Sequence, residues 1–181
     1  MRLFVGPDER AVENRMAALV RYAADQANAE LAVVTCSAAR GPMLQRVASN
    51  TGIAVLKIDE PLAREAVAHG SRVGVLVTFA SSREAAESLL RDAAIESGAT
   101  VELDTLVIPE AYTALLSGDV QRHDELVIEA GVALSARNRC VVLSQISMAR
   151  VAAKIASQSH VPVLDALNSS LTEVRSRFVR Q

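Results

Sequence analysis

The chain has 181 residues, half of them apolar but only 3% aromatic, and a formal net charge of −2. That is enough for one domain or two small lobes, with a core built from Ala, Val, Leu and Ile. There is no basic, aromatic-interleaved tract for nucleic acid, no apolar run near the ~20 residues of a membrane span, and no signal-peptide stretch in the opening Met1-Arg-Leu-Phe-Val-Gly-Pro.

A cytoplasmic location is therefore the expectation. Two cysteines, Cys36 and Cys140, do not make a disulfide framework in a chain of this size. No Cys/His cluster has zinc-like spacing, so no metal is expected. His69, His123 and His160 are scattered and read as surface or loop histidines.

The spacing predicts a helix over Asp8 to Asn28, with Val12, Met16, Leu19, Val20 and Ala23 recurring at helical intervals. Leu31 to Thr35 reads as a buried strand, Pro42 to Ser49 as a short helix closed by Asn50-Thr-Gly52, and Ile53 to Ile58 as a second strand. Pro61 suits the first turn of a helix ending at His69-Gly70. Arg72 to Thr78 is an apolar strand. Ser81-Ser82-Arg83-Glu84 resembles a capping box at the head of a helix to about Ser97-Gly98, with Glu87, Arg91, Asp92 and Glu96 facing water.

Val101 to Ile108 is a strand, Glu110 to Leu116 a short helix and Val120 to Ala136 a longer one. Cys140 to Leu143 is a strand, Ser147 to Ser157 a helix, Val161 to Leu164 a strand and Leu167 to Val179 the last helix. Such alternation means an α/β fold of parallel sheet with helices on both faces.

In such sheets ligands bind beyond the carboxyl ends of the strands. That rule selects Thr35-Cys36-Ser37, Asp59-Glu60, Thr78-Phe79-Ala80-Ser81, Pro109-Glu110, Ser144-Gln145-Ile146-Ser147 and Asp165. Cys36 leads the set. A thiol after a strand and before a helix can have its thiolate favoured by the helix N-terminus, where an anion is also held. Cys140, at the opposite end of its strand, reads as a small buried hydrophobe. Lys57 and Arg40 read as solvated charges, Arg40 able to steer an anion.

Val-Val-Thr-Cys36-Ser-Ala, Ile58-Asp-Glu-Pro61, Arg72-Val-Gly-Val-Leu-Val-Thr78 and Val142-Leu-Ser-Gln145-Ile-Ser-Met-Ala together resemble the aspartate/glutamate/hydantoin racemase superfamily over roughly Arg15 to Val174. The resemblance implies two pseudo-symmetric parallel-sheet lobes with the active site in a cleft between them. It places residues 1–69 and 164–181 in the first lobe and 70–163 in the second. It implies cofactor-independent chemistry: one cysteine from each lobe flanks the substrate α-carbon, while backbone amides and small polar side chains hold the carboxylate.

On this pattern Cys36 takes the first-lobe cysteine position. Ser37, Ala38, Thr78, Ser81, Gln145, Ile146 and Ser147 are the expected substrate contacts. The second-lobe cysteine position holds Gln145, which has no acid–base chemistry near neutral pH. Glu110, Tyr112 and Asp165 are the candidates for a second acid or base. Their structural readings are a first-turn helix acid, a packing residue and an N-cap. The first lobe looks shortened by about one βα unit, and a homodimer is expected to cover the sheet edge this exposes.

The expected function is a racemase or isomerase acting α to the carboxylate of a small acid, of the amino-acid or hydantoin class, with Cys36 as acid/base. The alternatives are a one-cysteine decarboxylase or lyase of the same superfamily and a catalytically silent carboxylate-binding protein. None of these readings involves nucleic acid, membrane, metal or another cofactor.

Overall fold

The computed structural model describes residues 8–36 and 39–178. The expected contacts Ser37 and Ala38, and the segment Arg2 to Val5, lie outside the described residues. The chain forms two compact units, 1–58 and 59–181.

Unit 1 holds α1 (Glu9–Ala27), β1 (Leu31–Val34), α2 (Gly41–Thr51) and β2 (Ala54–Lys57). Asp8 caps α1 by accepting the Ala11 amide at 2.9 Å, and Asn28 closes it in the left-handed conformation with φ 51°. β1 and β2 pair in parallel from Leu31–Ala54 to Val34–Lys57. Ala17 and Val20 of α1 bury against Val47 of α2, and Ala39, Met43 and Leu44 form a second apolar cluster. The opposite face of α1 is wet: Leu19, expected among the apolar set, is 59% exposed.

Unit 2 holds α3 (Glu60–Ala68), β3 (Arg72–Val77), α4 (Arg83–Ser97), β4 (Glu102–Val107), α5 (Pro109–Leu116), α6 (Val120–Ser135), β5 (Cys140–Leu143), a 3-10 helix (Ile146–Val151), α7 (Ala152–Ala156), β6 (Val163–Asp165) and α8 (Ala166–Phe178). Its four parallel strands lie in the order β4-β3-β5-β6. The run Val73 to Val77 is buried throughout, as a strand covered on both faces must be.

Leu76, Val127, Leu134, Leu143, Met148 and Ile155 are fully buried in one core, each contributing about 1.5–3 kcal/mol of burial. Gly131 lets α6 reach that core, since a Cβ there would stand 2.7 Å from Ile155 Cδ1. The units divide at Ile58/Asp59, whereas the sequence reading placed the boundary at 69/70 and returned 164–181 to the first lobe. Helix α3 packs with α8, and β6 hydrogen-bonds to β5, all within unit 2.

Several local expectations are corrected. Ser82 forms no capping box: its hydroxyl donates to the Phe79 carbonyl at 2.8 Å, inside a 3-10 turn (Ala80–Ser82) that precedes α4. Lys57 is buried at the end of β2 and is not a solvated charge. His123 is fully buried on α6, on the face of Val127, Ala130 and Leu134, and is not a surface or loop residue.

Glu87 does not simply face water. It bridges Arg83 at 2.8 Å and Arg91 at 2.9 Å along α4. The Arg83 guanidinium, opposed by burial and aided by Arg91, holds the Glu87 carboxyl down at about 2. A folded-state pKa below the unfolded value of 4.5 stabilises the protein above that pH. The contribution is lost as pH falls through about 2.

With two half-exposed arginines as partners, we expect about 1–2 kcal/mol from this ladder at neutral pH. Glu87→Gln should lower the urea midpoint at pH 6, and the gap to wild type should shrink steadily below pH 4. A gap independent of pH would show that Glu87 acts by packing alone.

Candidate functional site

Strand order in unit 2 decides where a ligand can sit. From β3 the chain first builds outward to β4, then returns to place β5 on the other side of β3. The crevice of an open parallel sheet lies at such a reversal, beyond the carboxyl ends of the two central strands. Thr78 follows β3 directly, and Ser144-Gln145 follow β5. The register Val73–Cys140 to Leu76–Leu143 brings these ends level, and the Ser144 amide donates to the Leu76 carbonyl at 3.2 Å.

Across this point the Thr78 backbone N–H donates to Gln145 Oε1 at 2.8 Å. The donor is an amide N–H, so the atom facing it must be the carboxamide oxygen. With its oxygen turned to Thr78, the Gln145 side chain presents its Nε2 N–H donors. Among the described residues its Nε2 has no partner. Thr78 is 2% exposed and Gln145 half-buried, so the clasp stands at the boundary between core and solvent.

The remaining unit 2 candidates surround this clasp in chain order. Phe79 and Tyr112, after β3 and on α5, are a tilted ring pair with centroids 5.1 Å apart. Tyr112 therefore does pack, as its structural reading expected. Ser81 is exposed in the 3-10 turn, and Ile146 is 44% exposed at the head of the 3-10 helix. Ser147 is half-buried, and among the described residues its hydroxyl has no partner.

Glu110 is exposed in the first turn of α5. Asp165 is buried, and both its oxygens are engaged by Asn168, one by the backbone amide at 2.9 Å and one by the side-chain amide at 2.7 Å. It caps α8. It also borders a groove of about 660 Å³ between α3, α7, β6 and α8, which none of Thr78, Gln145 or Tyr112 lines.

Cys36 lies two residues beyond β1 in unit 1 and is half-buried with a free thiol. Its carbonyl accepts the Ala39 amide at 3.1 Å, two residues before α2. That helix begins at Gly41 with Pro42 in its first turn and has no side-chain cap at Arg40. Arg40 is 78% exposed and 3.9 Å from Glu9, a solvated charge as expected.

Cys140 differs from Cys36 in every respect. It is fully buried, its thiol donates to the Ala66 carbonyl at 3.6 Å, and burial pushes its pKa up to about 11. It is the inert hydrophobe of its strand.

One residue escaped the sequence reading although its signal was present. His123, Val127, Ala130 and Leu134 are spaced 4, 3 and 4 apart, so the histidine shares the apolar stripe of α6. Arg150 Nε in the 3-10 helix donates to Asp124 at 2.8 and 3.0 Å, and Arg150 Nη2 stands 3.2 Å from His123 Nδ1.

No helix among the described residues is long and apolar enough to cross a membrane. No group of His, Cys, Asp and Glu among them could hold a metal ion.

Residues 5–174 match the profile of the Asp/Glu/hydantoin racemase family. No curated protein matches the chain. Among solved structures, a mutant of arylmalonate decarboxylase in a sulfate-associated form gives a TM-score of 0.65 at 11% identity, over 94% of this chain and 76% of that one. Allantoin racemase from Klebsiella pneumoniae gives 0.63 at 18% identity, over 91% and 65%. A glutamate racemase from Bacillus anthracis gives 0.62 at 14% identity, over 97% and 68%. The chain thus spans between about two-thirds and three-quarters of the length of these proteins, and at such identities the likeness is one of fold.

Proposed function

The chain belongs to the Asp/Glu/hydantoin racemase family, and on that premise we propose that it is a cofactor-independent racemase- or isomerase-type enzyme that moves a proton at the carbon α to the carboxylate of a small acid. Cys36 is the acid/base. Its thiolate takes the α-proton to become the thiol, the electron pair passes to the carboxylate as an enediolate, and inversion is completed by a second acid, for which Glu110, Tyr112 and Asp165 are the candidates, giving up its proton to the opposite face of the carbon. Thr78, Gln145 and Ser147 hold the carboxylate, with Ser37, Ala38, Ser81 and Ile146 as further contacts.

The observation that carries this reading is the clasp of Gln145 on Thr78. With its oxygen turned to the Thr78 N–H, the carboxamide presents its Nε2 N–H donors. Donors fixed in place before charge develops are what an enediolate needs, because they do not have to reorganise during the reaction. The same observation favours a second reading. A glutamine at the second-lobe cysteine position cannot remove or deliver a proton, and a single cysteine suits protonation of the carbanion left by decarboxylation. A catalytically silent carboxylate-binding protein is the third outcome.

The experiment is deuterium incorporation at the α-carbon in heavy water, across amino acids, hydantoins and malonates. Exchange at the α-position of an amino acid or hydantoin supports the first reading. Loss of carbon dioxide from an arylmalonate with one deuterium gained supports the second. Thermal stabilisation by these acids without exchange leaves only binding. The proposal includes a homodimer that covers the open edge of the β1–β2 pair. Light scattering at micromolar concentration should give twice the chain mass, and a monomer would remove that part of it.

A further inference from the structure

We propose that Arg150, Asp124 and His123 form a latch that positions Gln145, and so are positioning residues for the carboxylate grip. This rests on the reading of Gln145 as the substrate-facing donor. The 3-10 helix Ile146–Val151 starts directly after Gln145 and runs six residues. That is longer than the 3–4 residues such helices usually sustain, because their hydrogen-bond geometry is poor. Its far end runs on into α7 (Ala152–Ala156), and along its length side chains add to the hold.

Its apolar side is held by Met148 and Val151, buried in the core of unit 2. Among the described residues its polar side is held by Arg150 alone. The guanidinium grips the Asp124 carboxylate through Nε at 2.8 and 3.0 Å and through Nη2 at 2.8 Å. A planar guanidinium and a carboxylate joined at several points fix orientation as well as distance.

The acceptor end of the latch is itself anchored. Burial opposes ionisation of Asp124, but the Arg150 and His123 donors outweigh it and keep its carboxyl below the usual carboxylate range. His123 Nδ1 lies 2.9 Å from Asp124 Oδ1, and the ring is fully buried. An ionised carboxylate only accepts, so Nδ1 carries the proton of this bond. Nε2 is then buried without a partner among the described residues. An unsatisfied buried nitrogen is destabilising, a burden a purely apolar residue at this position would avoid. The histidine fixes the side chain that fixes Arg150, and Arg150 fixes the helix whose first preceding residue is Gln145.

Amide hydrogen exchange on the whole, unliganded chain tests this without any substrate. The Thr78 amide is protected by Gln145 Oε1, and the neighbouring Ile108 amide by the Val77 carbonyl at 2.9 Å. Gln145→Ala should expose the Thr78 amide and set the scale. Asp124→Asn and Arg150→Ala should each speed Thr78 exchange at least ten-fold toward that scale, while Ile108 exchange stays within two-fold. Arg150→Lys, which keeps the charge but not the fork, should fall between them and wild type.

The latch is refuted if Thr78 exchange is unchanged in both Asp124→Asn and Arg150→Ala, if Thr78 and Ile108 accelerate together as in general loosening, or if Gln145→Ala leaves Thr78 protected. Failure of the catalytic reading would instead appear as absence of deuterium exchange in wild type, a separate result.

Discussion

Cys36→Ala is expected to lower the rate of α-hydrogen exchange by about 10²–10⁴-fold, the usual worth of a positioned general acid or base. Its thermal midpoint should stay close to that of wild type. The reason is the local setting. Cys36 is half-buried, follows β1 by two residues and accepts the Ala39 amide on its backbone carbonyl. Among the described residues its side chain makes no hydrogen bond, so removing it subtracts chemistry and leaves the fold. Cys36→Ser should lose nearly as much, because a hydroxyl is far more basic than a thiol when deprotonated and is scarcely ionised near neutral pH. The measurement is deuterium incorporation by mass spectrometry for the three proteins side by side. Retention of wild-type exchange by Cys36→Ala would mean that some other group moves the proton.

Gln145→Glu should abolish recognition of the acid while leaving the clasp intact. A glutamate keeps an oxygen for the Thr78 N–H, whose bond to residue 145 is the only hydrogen bond the wild-type side chain makes among the described residues. The opposite end of the side chain changes from an N–H donor to an anionic oxygen. A lost hydrogen bond to a charged partner is worth about 1.5–3 kcal/mol, and like-charge repulsion adds to it. Affinity for a carboxylate ligand, read by calorimetry, should therefore fall by about 10²-fold or more. Binding should recover as the pH is lowered through the titration of the new carboxyl group. Gln145→Ala, which loses both the acceptor and the donor, should weaken binding less at neutral pH because it brings no charge. If Gln145→Glu binds as wild type does, the Gln145 amide does not face the carboxylate.

The sequence shows the alternation of strands and helices because a parallel sheet covered on both faces demands unbroken apolar strands, and Arg72 to Val77 is such a run. It also points to strand ends, and Thr78 and Gln145 do meet across one. Asp165 capping α8 and Cys140 buried in β5 follow from local rules about caps and small apolar side chains.

What it conceals is set by contacts between polar groups far apart in the chain. Helix α8 joins α3 partly through the Ser169 hydroxyl, which donates to Glu65 at 2.7 Å. No apolar periodicity announces such a contact, and this is where the division of the chain departs from its sequence reading. His123 was legible in principle, through its spacing to Val127, but a histidine in a polar first turn looks solvated until Arg150 is brought beside it. The capping box at Ser81 to Glu84 failed because Ser82 is drawn back to the Phe79 carbonyl, which a four-residue pattern cannot foresee.

The contrast between the two thiols makes the chain its own dual probe. A thiol-directed label applied to folded protein should find Cys36 first, while Cys140, sealed and held near pKa 11, reacts only when unit 2 opens. Under slow labelling the second adduct therefore counts the openings of the four-stranded sheet, and the first counts encounters at the β1 loop. A ligand that occupies the thiol without tightening the sheet would delay one adduct only. A ligand that clamps the ends of β3 and β5 would delay the other as well, so a single mass spectrum separates shielding from stiffening.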